Sequence, residues 1–265
     1  MVTYNLALYL NGKMELIFMK DLEVYKEMRE EFYQAIDNVK EEKGLKNLDA
    51  FKERYTKAFE EIIPKPNIAF GNKKVPKTTA IANTTSWFLC PGRLEGFCEL
   101  REVCYDKYRE VMGSVCKSRL NHDLWWRSND AETIAEFYIY SIKAESLKHP
   151  EAPINLVRFQ EVGDFRNLGD LNKMIDVSNL IYDELKINSY TYTHNRDLPY
   201  NVLKRPHLTI NGSGFMVDNQ FTVVPPSEFE RYVAEHECYE CPQKCALCNS
   251  ICSKKLGIEI VEVQK

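Results

Sequence analysis

Residues 154–165 read INLVRFQEVGDF. Ile154 to Phe159 is a short apolar run with the length and composition of a buried strand. It empties into Glu161-Val162-Gly163-Asp164, a burst of charge around a glycine. In parallel α/β folds the working groups sit on the loops that follow the C-terminal ends of the strands. The same pattern recurs on both sides. Upstream, Thr78 to Phe88 reads as a strand and runs into Cys90-Pro91-Gly92, then Cys98 and Cys104. Downstream, Tyr190 to Thr193 leads into His194-Asn195-Arg196-Asp197, and His207 to Ile210 into Asn211-Gly212-Ser213-Gly214. Phe221 to Val224 is a further strand. Four successive strands thus deliver polar, charged or thiol groups at one end, which points to one rim.

Helical periodicity fills the gaps. Helical sequence follows Gly92 through Leu120. A second helix starts near Asn129, with Glu132 as capping-box partner and an apolar face of Ile134, Phe137, Tyr138 and Ile142, and Pro150 closes it. A third presents Leu171, Met174, Ile175, Ser178, Ile181 and Leu185. Strands alternating with helices predict an α/β fold, either a partial (β/α) barrel or an open parallel sheet. Before it, Asn11-Gly12 between apolar stretches predicts a hairpin over residues 3–19. Helical spacing from Asp21 to Ile63 predicts two helices split near Gly44. Three segments follow: a hairpin and helical cap over 1–66, an α/β core with the first cysteine loop over 67–235, and a cysteine-rich segment over 236–265.

That last segment holds ECYECPQKCALCNSIC, residues 237–252. Its spacing, C-x2-C-x3-C-x2-C-x3-C, sets Cys238, Cys241, Cys245, Cys248 and Cys252 too close for two opposed zinc knuckles. It is nearer to the packing of cysteines around a four-iron cube. Four ligands suffice for a cube, so one cysteine is spare, Cys238 or Cys241. Zinc remains the alternative. Cys90, Cys98 and Cys104 form a second group, able to hold a four-iron cluster with one iron open, or zinc with His122 as a fourth ligand. Cys116 is read as structural. Cys241-x3-Cys245-x2-Cys248 reproduces the cysteine motif of radical S-adenosylmethionine (SAM) enzymes, but at the wrong end of the sheet.

The chain has 265 residues, is 44% hydrophobic and carries a net charge of −4. A pI near 5.9 argues against a broadly basic nucleic-acid surface. Trp125-Trp126-Arg127 with Arg119 is the candidate for a local one, although paired tryptophans are more often core. No apolar run is long enough to span a bilayer. The N-terminal stretch lacks the basic start and cleavage site of a signal peptide. A cytoplasmic protein with no membrane partner is expected, and reduced thiols there favour metal over disulfides.

GNKKVPKTTAIANTTSWFLCPG, Cys104-Tyr105, Arg119-Leu120-Asn121, VRFQEVGDF, YTYTHN and the terminal cysteines occur in an order that resembles the phage- and plasmid-borne gene product eighty-eight family, from about Gly71 to Cys252. The arrangement is similar to that of radical SAM proteins. By that likeness Cys90, Cys98 and Cys104 would ligate the SAM-binding cluster, though their C-x7-C-x5-C spacing departs from C-x3-C-x2-C. Glu161 and Asp164 would receive the ammonium of the methionine moiety, with Gly163 allowing close backbone approach. Arg158 and Arg196 would hold a carboxylate, and Asn195 would line the same rim. The expectation is an iron–sulfur protein with two 4Fe-4S clusters, a radical-SAM-like enzyme of an anaerobic cytoplasm. Its reductant would be of the ferredoxin or flavodoxin kind. The alternative is a non-catalytic iron–sulfur or zinc module of a mobile element, in which contact with nucleic acid is not excluded.

Overall fold

The computed structural model of the chain describes residues 23–39, 47–85, 87–99, 101, 104, 109, 110 and 112–264. The hairpin expected over residues 3–19 and the break near Gly44 lie outside them. The described helices are α1 Glu23–Asp37, α2 Leu48–Glu60, the single turn α3 Pro91–Leu94, α4 Gly113–Ser128, α5 Ala131–Lys148, α6 Leu168–Leu185, α7 Pro226–Glu235 and the single turn α8 Cys245–Cys248. The strands are β1 Ala69–Phe70, β2 Thr79–Ala82, β3 Leu156–Phe159, β4 Asn188–Thr193, β5 Leu208–Ser213, β6 Asn219–Val224, β7 Cys238–Glu240 and β8 Glu259–Val263.

All eight described strands join one sheet in the order β1-β2-β3-β4-β5-β6-β8-β7. β1 runs antiparallel to β2, and the remaining pairs are parallel. From β2 to β6 the spatial order follows the chain, as in a (β/α) barrel and unlike a doubly wound sheet. Among the described residues the sheet stays open, with β1 and β7 as its edges.

Residues paired across parallel strands share a face. The row Ala80, Val157, Ser189, Leu208 points to the helices. There Ala80, Ala82, Val157, Phe159, Leu208 and Ile210 pack against Trp126 of α4, Ile134 and Tyr138 of α5, and Leu171 and Met174 of α6. Each fully buried large side chain contributes about 1.5–3 kcal/mol. The alternate row, Ile81, Arg158, Tyr190, Thr209, faces the other way. On that side the C-terminal segment covers the sheet, with Cys252 and Ile260 against Leu156 and Tyr190.

The two N-terminal helices form a second core. Asn47 caps α2, its Oδ1 accepting from Ala50 N at 3.0 Å. Met28, Phe32, Phe51, Tyr55 and Phe59 bury against Trp87, Phe88 and Leu89 and against Leu120 and Leu124 of α4. The Phe32 and Phe59 rings stack 4.2 Å apart. The cap therefore rests on the loop that carries Cys90.

Some boundaries differ from expectation. β2 stops at Ala82, because Trp87 and Phe88 turn away from the sheet into the second core. The helix expected directly after Gly92 is one turn, and the long helix begins at Gly113. Asp130 rather than Asn129 caps α5, accepting from Thr133 N at 2.8 Å, so Glu132 falls one position short of a capping-box partner. β1, β7 and β8 were not anticipated, being short or buried in cysteine-rich sequence. No described helix is long and apolar enough to cross a membrane.

Candidate functional site

The loop after β2 enters α3 with Cys90 as its N-cap residue. A Cβ on Gly92 would stand 2.9 Å from Cys98 Cβ and 3.7 Å from Cys90 Sγ. Only glycine lets these two cysteines flank the turn so closely. Burial pushes the Cys90 thiol well above its usual pKa, and the Asp164 carboxylate, Cys104 and Cys98 add to the effect. The three upstream thiols and the end of β3 thus meet in one place.

Glu110, which the sequence reading passed over, pins the approach to Cys90. Its carboxylate is fully buried. Oε1 accepts from Trp87 N at 2.6 Å and Arg119 Nη1 at 2.9 Å, and Oε2 from Phe88 N at 3.2 Å and Tyr55 hydroxyl at 3.3 Å. Burial raises its pKa, while the Arg119 guanidinium and the two amides pull it down. Removing one partner of such a buried pair costs about 3–5 kcal/mol. Cys116 lies buried on α4 beside Tyr55 and Glu110, and burial raises its pKa too. It is structural, as expected.

The β3 loop is equally constrained. Gln160 ends the strand at φ 51°. Its Nε2 donates to Thr84 Oγ1 at 3.0 Å, and its Oε1 accepts from Thr191 hydroxyl at 2.9 Å. Gly163 has φ +91°, and a Cβ there would sit 1.6 Å from Thr85 Oγ1. That hydroxyl oxygen is buried without a hydrogen-bond partner among the described residues. Asp164 is buried. Its Oδ1 accepts from Thr193 hydroxyl at 2.6 Å and Phe165 N at 2.8 Å, and its Oδ2 from His194 N at 2.7 Å. Burial raises its pKa to about 6 against these donors. Asn195 is buried in the same corner, its Nδ2 donating to Phe165 O at 3.3 Å.

Glu161 stands at the outer margin, its Oε1 accepting from Asn72 Nδ2 at 2.7 Å with Arg109 Nη1 at 3.9 Å. Arg196 is exposed, donates to Gly214 O at 3.3 Å and lies 3.8 Å from Glu99. The rim therefore joins Cys90, Cys98 and Cys104 to Gly163, Asp164 and Asn195, with Glu161 and Arg196 at its margins. Arg158 belongs elsewhere. Its guanidinium carbon lies 5.2 Å from the Tyr192 ring centre on the face covered by the C-terminal segment, beside the second cysteine group.

That second group is built on the crossover from β7 to β8. Cys241 N donates to Val261 O at 2.7 Å, and Cys245 N to Lys74 O at 2.9 Å. Cys245 and Cys248 bound a single helical turn, and two consecutive left-handed residues, Asn249 and Ser250, bend the chain back to Cys252. Polar residues inside strands hold this return. Asn211 Nδ2 donates to Cys252 O at 2.9 Å, Thr209 hydroxyl to Ser253 O at 3.0 Å, and Asn219 Nδ2 to Lys254 O at 2.7 Å. Asparagine is depleted in strands, so Asn211 and Asn219 were the signal the sequence offered for this anchor.

Burial raises the pKa of Cys241, Cys245 and Cys252, the last to about 12. Cys248 acts on all three, and Cys245 on Cys241 and Cys252. Cys238 responds instead to burial, Glu259 and Glu240. Cys241 and Cys252 share one apolar cluster, Cys245 and Cys248 bound the turn between them, and Cys238 lies apart at the start of β7. Among the described residues no three His, Cys, Asp or Glu side chains close on a single metal ion. Cys241 and Cys252 pack in this group against a wall of Tyr190, Tyr192 and Ile251.

His122, the candidate fourth zinc ligand, lies in the core. It is buried, its Nδ1 accepting from Asn67 N at 2.6 Å and its Nε2 lying 3.2 Å from Tyr138 hydroxyl. Both ring nitrogens are engaged away from the cysteines, and burial lowers its pKa to about 4. The proposed basic–aromatic surface is absent as well. Trp125 and Trp126 are core, Arg119 pairs with Glu110, and Arg127 with Asp123 and Glu31. A cavity of about 270 Å3 lies between β1, β2 and the start of α4, lined by Asn67, Asn83, Ser114, Ser118 and His122 among others. No cysteine lines it.

No curated protein and no solved structure matches this chain. One family model does, over residues 32–213, from within α1 to the end of β5. The match reaches further toward the N-terminus than the motif likeness from Gly71, takes in the helical cap, and stops before the second cysteine group. It spans more than half of the sequence and includes Cys90, Cys98, Cys104 and Asp164, and on that ground the chain belongs to the gene product 88 family.

Proposed function

We propose that this chain is an iron–sulfur protein with two four-iron sites. Cys241, Cys245, Cys248 and Cys252 hold one on the face of the sheet that the C-terminal segment covers. Cys90, Cys98 and Cys104 hold the other at the rim. The observation that carries the reading is the gathering of four of the five C-terminal thiols on one patch of sheet, with Cys238 left out. Clustered, buried thiols in a reducing compartment are poor thiolates until a cationic core compensates their charge. A site with four cysteines is coordinatively complete and suits electron transfer. A site with three leaves an iron open to a ligand.

We further read the rim site as an enzyme centre of radical SAM type. Its cysteine loop follows the first parallel strand, and the glycine and carboxylate after β3 stand against it. A bound open-iron cluster would supply a coordination position and one electron. The chain's own residues would do the rest. Glu161 and Asp164 present carboxylates to an ammonium, Arg196 presents a guanidinium to a carboxylate, and Glu110 keeps the cysteine loop in place.

Protein purified without oxygen is expected to be brown, with about eight irons and eight sulfides per chain. Colourless protein carrying zinc overturns the iron reading. Cys98→Ala is expected to halve the iron by emptying the rim site alone. Release of 5′-deoxyadenosine from SAM and a low-potential reductant supports the enzyme. Full iron with no release under several reductants leaves a non-catalytic iron–sulfur module.

A further inference from the structure

Arg158 is the one rim candidate that the fold carries to another place. It sits third in β3, paired in register with Tyr190 of β4, so both project from the face that the C-terminal segment covers. Tyr192 lies two residues on and on the same side, and the Arg158 guanidinium carbon is 5.2 Å from its ring centre. Cys252 packs against Tyr190 and Leu156 there, with Tyr192, Cys241 and Ile251 around it. Tyr192 packs beside Cys252, and its hydroxyl bears on the Cys252 thiol. The Arg158 charge bears on both Cys245 and Cys252. Lys74, the other cation acting on Cys245, sends its ammonium to Glu262 at 2.7 Å. A permanently charged guanidinium, half-buried and laid along an aromatic ring, is thus fixed beside the cysteine group by the sheet itself.

We propose that Arg158 and Tyr192 set the reduction potential of the cluster held by Cys241, Cys245, Cys248 and Cys252, a role that rests on the iron–sulfur reading above. One electron passes from a one-electron reductant to the cluster, no bond is made or broken, and the net charge of the cluster falls by one. A fixed positive charge favours that more negative state, and so does a hydroxyl placed to donate to a ligand sulfur. The pair raises the potential and makes this cluster the acceptor of electrons rather than a site for substrate. Arg158 acts through the ligands, so it is a positioning and tuning residue.

The test is a redox titration of the full-length chain, prepared without oxygen and followed by the spectrum of the reduced cluster. Cys98→Ala is the background, so that only the C-terminal cluster is read. Arg158→Gln is expected to lower the reduction equilibrium constant at least tenfold, about 59 mV for one electron. Arg158→Lys keeps the charge and is expected to lower it less than threefold. Tyr192→Phe is expected to lower it severalfold at full iron content, and it carries the test if Arg158→Gln does not fold. Unchanged potentials in Arg158→Gln and Tyr192→Phe, each with four irons, overturn the inference and leave the iron–sulfur reading standing. An equal fall in Arg158→Lys and Arg158→Gln overturns the charge argument in favour of packing. Wild-type protein without iron overturns the underlying reading, and this inference with it.

Discussion

Glu110→Gln separates the charge of the buried carboxylate from its shape. The amide carbonyl can take the place of Oε1 and keep Trp87 N and Arg119, which now stand at 2.6 and 2.9 Å. Its NH2 then faces Phe88 N, now 3.2 Å from Oε2. Two donors meet, and an unsatisfied buried amide costs about 1–3 kcal/mol. Tyr55 can rotate its hydroxyl and accept instead. The Arg119 bond drops from charge-assisted to neutral, a further loss of about 1 kcal/mol. Relief from burying the charge offsets part of this, which leaves a destabilisation of about 2–3 kcal/mol. For a chain of this size that is a fall in Tm of roughly 5–10 °C. Because Trp87 and Phe88 lead directly to Cys90, the rim iron should go first. The assay is thermal unfolding of the metal-free chain, paired with iron analysis of anaerobically purified protein. The expected result is a lower Tm and iron falling from about eight to about four per chain, with the C-terminal cluster intact. A Tm within about 1 °C of wild type and full iron refute the clamp.

Cys238→Ser is expected to keep full iron, whereas Cys245→Ser loses about four irons; equal loss in both would refute the assignment of the spare cysteine. Gly163→Ala sets a side chain at φ +91° against Thr85. It should destabilise by about 2–5 kcal/mol, and Thr85→Ala in the same chain should restore only part of that, read as urea midpoints. Thr85→Val deletes a buried hydroxyl that has no partner among the described residues, so it should be neutral or stabilising by about 1 kcal/mol. A clear loss would mean the oxygen is bonded. His122 has a pKa lowered by burial from 6.5 to about 4. The unfolded chain therefore takes the proton first as pH falls, and His122 stability, complete above about 6.5, is lost on acidification toward 4. Against His122→Asn, whose own midpoints lack this step, wild type should lose about 3 kcal/mol more between pH 7 and pH 4. Parallel profiles would refute it.

The legible parts of this fold are those written in period and composition. The face of α6 was readable because Leu171, Met174, Ile175, Ser178 and Ile181 recur at helical spacing and are buried together. β3 was readable as a short apolar run, and β4 from the strand-favouring tyrosines and threonines of 190–193. β2 was overread, because Trp87 and Phe88 continue its apolar character although they serve another core. β1 and β7 span two and three residues, too few to show alternation. At the rim, Asp164 and Asn195 were found by their place after a strand. Arg158 was placed at the rim by likeness alone, although it lies inside β3, where only register gives the face. Glu110 carries no local signal: its partners lie 9, 22, 23 and 55 residues away.

The sheet places β8 between β6 and β7. β7 therefore has no neighbour to bond with until residues 259–263, made later, have been laid beside β6. The connection between these last two strands is the loop of four cysteines, so the thiols are scattered on a loose tether until the final rung is in position. Gathering of the four thiols and completion of the sheet become one event, and a chain interrupted before residue 259 would present sulfur to the solvent with nothing to organise it.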